Sequence, residues 1–173
     1  MRAMPTTKRY HAILAFFIAI VAVALGFVWQ GHLGFNLGDE GFLWYGAQRV
    51  MMNEVPIRDF MAYDPGRYYW SAATMNFLGD NGIIALRAAV AAFQALGLFL
   101  GLLLIARSAP KVSPLYLVLA AVSLFIWMYP RHKLFDISLA IGLVWLLAYL
   151  LDSPSARRYF LTGLGVGVVA VFG

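Results

Sequence analysis

The chain has 173 residues, 62% of them hydrophobic and only 12% charged, with a formal net charge of +5. A soluble domain carries about 25% charged residues, and here the apolar residues stand in blocks, which argues for membrane spans rather than one buried core. There is no cysteine, so disulfides, thiolate metal sites and cysteine nucleophiles are excluded, and no nucleic-acid partner is expected. The expected fold class is all-α: a polytopic transmembrane helix bundle in a lipid bilayer.

Residues 12–29 are uncharged and follow Arg2, Lys8 and Arg9. At 1.5 Å per residue they make about 27 Å of helix, longer than the roughly 7–15-residue apolar region of a cleaved signal, so a retained first span is expected. Residues 30–80 are polar and hold six of the eight acidic residues, together with Arg49, Arg58 and Arg67. Leu43, Ala47, Val50 and Met51 fall on one face at helical spacing, which predicts a short amphipathic helix over 39–53. Tyr63-Asp64-Pro65-Gly66 reads as a turn, and a second short helix over 67–78 carries Tyr68, Tyr69 and Trp70. Aromatics of this kind favour the membrane–water boundary, so both helices are expected at the outer surface.

Further spans are expected over 81–106, 114–129 and 137–151, with Arg87 snorkelling at the outer end of the second. The third has only 16 residues, short for a core of about 30 Å, and calls for bilayer thinning or use of its flanks. A fifth span starts at 159 and is incomplete at 173, which reads as the N-terminal part of a longer transmembrane domain. Gly163, Gly165 and Gly167 in it fit helix packing better than a phosphate loop, which needs a preceding strand.

With the N-terminus inside, seven basic residues and one acid are cytoplasmic, while six basic residues and seven acids are external. This obeys the positive-inside rule. The chain is expected to be an integral multi-pass protein of a bacterial inner membrane, with loop 30–80 external.

Three features could carry chemistry. Asp39-Glu40 opens the first short helix, where negative charge serves as a cap and dipole partner, or acts as a general base or metal ligand. The turn around Asp64-Pro65 is an interfacial aromatic belt, or else Arg67 and Arg58 are phosphate ligands, since Arg matches phosphate bidentately. Arg131, His132 and Lys133 beside Asp136 place cations on the external side against the positive-inside trend. They are snorkelling cations around a satisfied Asp, or an anion site.

The order of these features resembles the GT-C glycosyltransferases, especially the branch of dolichyl-phosphate-mannose–protein mannosyltransferases and aminoarabinose transferases. The matching residues are Asp39-Glu40 after the first span, Pro65 followed by Tyr69-Trp70, Leu78-Gly79 followed by Arg87, and Leu134-Phe135-Asp136 before the fourth span. The family often has Lys before the proline. Here that residue is Asp64, so phosphate binding passes to Arg58, Arg67 or the cluster Arg131, His132 and Lys133.

The resemblance implies an inverting membrane transferase. It would move a sugar from a polyprenyl-phosphate carrier to a glycan, lipid or protein acceptor on the external face. Asp39, Glu40 and Asp136 would be the catalytic carboxylates, and the ligands of a divalent metal if one is used. The competing reading is a transporter or flippase segment with an external anion site, which predicts polar groups near the membrane midplane. A non-enzymatic scaffold would leave the aromatic external loop without a purpose.

The charge split sets a direct test. A cysteine placed at Asn53 should react with an impermeant thiol reagent added from outside intact cells; reaction only after permeabilisation would overturn the orientation.

Overall fold

The computed structural model describes residues 6–109, 111–128 and 133–173. It is an all-α bundle of seven helices, and no strand is present among the described residues. The helices are α1 (Thr6–Gln30), α2 (Asp39–Met51), α3 (Pro65–Leu78), α4 (Ile83–Ser108), α5 (Pro114–Trp127), α6 (Leu134–Asp152) and α7 (Ala156–Phe172). Three are long and apolar enough to cross a membrane: 9–30 within α1, α4 and α6. The chain is an integral multi-pass membrane protein.

Local chemistry fixes the helix ends. Ser113 and Ser155 cap α5 and α7, each accepting a backbone N–H at 3.4 Å, from Tyr116 and Arg158, which satisfies a donor left free in the first turn. Pro114 follows Ser113 at the first helical position, where the missing N–H costs nothing. Gly79 ends α3 with φ of 65°, a left-handed conformation that glycine adopts without penalty.

Both short helices predicted in the polar loop are present. α2 buries Leu43 and Ala47 as the apolar spacing predicts, but Gly46 and Glu40 are buried with them. Gly46 is covered by Tyr68 of α3, whose ring lies against it, and Glu40 by its ion pair with Arg87 of α4. α3 in turn packs on the first half of α4, with the Trp70 indole donating to the Ala89 carbonyl at 2.9 Å. The polar loop is thus a helical layer built onto α4.

α4 and α6 run in the same direction in close contact. Gly97 abuts Ser138, Gly101 faces Ile141, Gly142 faces Leu100, and the Phe93 and Phe135 rings are 4.7 Å apart. At the far end the Arg107 guanidinium donates to the Ala148 carbonyl at 2.9 Å. All five pairs share one register: a residue of α4 is level with the residue about 41 positions later in α6. Gly165 of α7 packs on Leu146 of α6, as a packing glycine should, while Gly163 and Gly167 face open space.

The two ends of the bundle differ in charge. One carries the Arg107–Asp152 ion pair, together with Lys111, Arg157 and Arg158. The other carries α2, α3 and the remaining seven acidic residues. Between them α1 turns Phe17, Val21, Leu25 and Val28 outward, the pattern of a lipid-facing surface.

The Gly97–Ser138 contact is the tightest point between α4 and α6. A Cβ at Gly97 would lie 2.7 Å from the Ser138 Cα, a backbone atom that cannot rotate away. Gly97→Ala should therefore cost about 1–3 kcal/mol by overpacking, read as a lower Tm in detergent; an unchanged Tm would show that the two helices separate freely.

Candidate functional site

The polar groups of the α2–α3 end form two clusters. In the first, Arg87 of α4 and Glu40 of α2 make a two-pronged ion pair, Nε to Oε1 and Nη2 to Oε2, both 2.9 Å. Their side chains are only 5% and 8% exposed. Arg87 also donates to the carbonyls of Gly31 and Gly34, and Glu40 accepts the Asn36 backbone N–H at 3.2 Å. Arg87 therefore does not snorkel outward. It turns inward, because Glu40 and two loop carbonyls supply the acceptors that a buried guanidinium requires.

Beside this pair lies a cavity of about 50 Å³, lined by Gly26, Phe27, Gly31, Phe125 and Leu134 of α6. Asp39, the residue before Glu40, points to the other side of the α2 start. Its carboxylate accepts from the Asn36 amide at 2.8 Å, and its own N–H donates back to Asn36 at 3.2 Å. This local exchange holds Asp39 in place at the helix N-terminus, where the helix dipole favours an anion.

The second cluster centres on Arg67 of α3, 4% exposed. Its Nη2 donates to Asp64 at 2.9 Å, to Asp136 at 2.8 Å and to the Phe172 carbonyl at 2.8 Å. Lys133 stands 3.9 Å from Asp136 and is largely exposed. The Arg67 guanidinium also lies over the rings of Tyr63 and Phe135. Asp64 itself sits in a left-handed conformation, φ of 48°, which Asp tolerates better than most residues. Two cations and two carboxylates make the cluster neutral as a set.

The sequence-predicted residues thus divide. Glu40 joins Arg87, and Asp136 joins Arg67 and Lys133. Asp39 stands next to the first cluster. All lie at one end of the bundle, but at different heights. By the α4–α6 register, Asp136 is level with residue 95, eight positions below Arg87, or about 12 Å along the helix axis. Arg58 belongs to neither cluster: it donates twice to Asp59, each at 2.8 Å. Those hydrogen bonds, with one from the Val55 N–H, pull the Asp59 carboxyl down to about 2. Arg131 and His132 lie outside the described residues. No group of three metal-ligating side chains is found among the described residues.

Asp64 and Tyr68 are the participants that sequence reasoning missed. Asp64 is three positions before Arg67, a spacing that allows the ion pair. Tyr68 carries Gly46 and the aromatic contacts of Phe42 and Phe60, and burial pushes its phenol up to about 12.

Comparisons with protein-family models, with curated proteins and with solved structures found no match to the chain.

The Glu40–Arg87 pair should be the less dispensable of the two clusters. Arg87→Met alone strands a buried carboxylate and should destabilise by about 3–5 kcal/mol, whereas the double variant Glu40→Leu/Arg87→Met should recover most of that loss. Thermal unfolding in detergent measures both, and additive losses in the double variant would contradict a direct buried pair.

Proposed function

We propose that the chain is part of a membrane glycosyltransferase of the GT-C kind, which passes a sugar from a polyprenyl-phosphate carrier to an acceptor on the external face. The observation that carries the reading is the meeting of Arg67 and Asp136. They lie 69 positions apart, yet their side chains are 2.8 Å apart, at the same end of a membrane bundle as Asp39. A carboxylate at the start of α2, with cations at the same end of the bundle, is what interfacial transfer from a lipid phosphate requires. The motif order described above supports the same assignment.

In this reading Asp39 accepts the proton of the attacking acceptor hydroxyl as the bond to the anomeric carbon forms. The phosphate leaves on the opposite side, and a single displacement inverts the configuration. Lys133, exposed at the top of α6, meets the phosphate first. Arg67 offers a fixed guanidinium behind it, but two carboxylates already hold that charge, so phosphate must displace one of them or bind beside them. Glu40 positions the start of α2 through Arg87. Arg131 and His132 would add to the cationic wall, and Asp136 would hold Arg67 in place.

Two observations favour the transporter or flippase reading. Gln94 is buried within α4, and Asp136 stands below the level of Arg87, so polar groups do enter the bundle. A flippase would move a labelled polyprenyl-phosphate sugar across a vesicle membrane with no acceptor present.

Asp39→Asn keeps the size and removes the charge. In the intact protein, reconstituted with a radiolabelled polyprenyl-phosphate sugar and acceptor, it should cut transfer by about 10²–10⁴, the scale of a general base, with membrane insertion intact. A wild-type transfer rate in this variant rejects the assignment, and acceptor-independent flipping would favour the second reading.

A further inference from the structure

The basic end of the bundle holds a groove that the candidate site does not use. It has a volume of about 810 Å³ and follows the seam between the end of α4 and the start of α5. Gly101 of α4 faces Leu124 of α5, and the two helices run antiparallel. Ile105 is therefore level with Ala120, and Ala109 with Tyr116. At each of these levels a small residue opposes a large one, and the seam stays open. The deeper part of the lining is apolar, from Ile105 and Ala120, while Lys111, Ser113 and Tyr116 line the part at the α4–α5 connection. Each of these three side chains carries an N–H or O–H that can donate a hydrogen bond. Two other cations at this end are already committed. Arg107 pairs with Asp152, and Arg158 donates to the Tyr149 carbonyl and lies over the Tyr149 ring. Lys111 is exposed and forms no ion pair among the described residues.

We propose that this groove binds one anionic phospholipid, with its phosphate on Lys111, Ser113 and Tyr116 and an acyl chain along Ile105 and Ala120. Two features select that occupant together. An apolar seam on a membrane bundle calls for a chain, and the ammonium at its mouth calls for an anion. Soluble phosphate leaves the seam unfilled. A zwitterionic lipid brings its own cation, which competes with Lys111 for the phosphate. Basic pockets between membrane helices bind anionic headgroups in this way. The volume also lies within the range of small-molecule sites, about 300–1,000 Å³. The lipid bridges α4 and α5 where their own side chains leave the seam open. The inference stands without the transferase reading, because the groove lies at the opposite end of the bundle from Asp39 and Arg67.

Native mass spectrometry of the intact protein in detergent, given equal amounts of phosphatidylglycerol and phosphatidylcholine, tests it. The wild type should retain one phosphatidylglycerol with a preference of about fivefold over phosphatidylcholine, the scale of one lysine beside an anionic headgroup. Lys111→Gln should erase the preference but still retain lipid. Ala120→Phe, which puts a ring into the seam, should lose both lipids. Arg157→Gln removes an exposed cation at the same end but outside the groove, and should keep the wild-type preference. Excess inorganic phosphate should not displace the lipid. Equal retention of the two lipids by the wild type overturns the proposal, as does an unchanged preference in Lys111→Gln. An equal fall in Arg157→Gln also overturns it, since that would mean diffuse surface charge, and displacement by inorganic phosphate would mean an anion site without a lipid. Lys111 is exposed, so the Lys111→Gln result decides the matter even where Ala120→Phe fails to fold.

Discussion

The Arg87 guanidinium is the constraint on which the α2–α3 half of the fold depends. It is held on α4 and accepts no alternative to being fully hydrogen-bonded, because burial of an unpaired cation costs several kcal/mol. Its partners come from three successive pieces of chain: the Gly31 and Gly34 carbonyls after α1 and the Glu40 carboxylate in the first turn of α2. One side chain therefore fixes where α1 ends, how the connector folds back and where α2 begins. Asp39 inherits its position from this arrangement, since it is the residue next to Glu40.

From α2 the order propagates through aromatic contacts rather than charges. Tyr68 lies against Gly46, and its ring meets Phe42 and Phe60 edge-on at 6.2 and 5.9 Å. Such offset geometry is favourable beyond the area it buries. It locks α3 to α2, and Trp70 then locks α3 to α4 through the Ala89 carbonyl and the Phe93 ring. Arg67, one residue before Tyr68, is thereby delivered to α6. The polar loop is a structured layer because its aromatics give it a core of its own.

What could be read from the sequence and what could not follow the same division. The helices were legible because apolar blocks and helical spacing are local signals; α2 and α3 appear within a few residues of their expected bounds. The packing role of Gly165 was legible for the same reason. The partner of Arg87 was not, because an ion pair between residues 47 positions apart leaves no periodicity in the chain. Read alone, an arginine near a span end snorkels; only the fold shows that Glu40 is within reach. Likewise Asp136 could be placed before a span, but its height relative to Arg87 depends on the α4–α6 register. That register is set by Gly97 and Ser138, small residues whose close approach no composition reveals. Arg58 looked equivalent to Arg67 as a cation in the same loop. Its immediate neighbour Asp59 captures it, while Arg67 has Pro65 and Gly66 before it and a helix to carry it inward.

The first turn of α6 joins the two clusters mechanically. Leu134 lines the cavity beside Glu40 and Arg87, Phe135 packs against Phe93 and Phe172, and Asp136 holds Arg67. Three consecutive residues thus meet the cavity beside the upper ion pair, the aromatic layer and the lower ion cluster. Packed interiors do not deform continuously, so a shift of this turn cannot alter one contact and spare the others. If Asp136 released Arg67, for example to an incoming anion, the same turn would move Leu134 in the wall of the Glu40–Arg87 cavity. The start of α2, and Asp39 with it, would feel the change across about 12 Å of helix. The coupling needs no hinge, only a short rigid element whose successive side chains point to different neighbours.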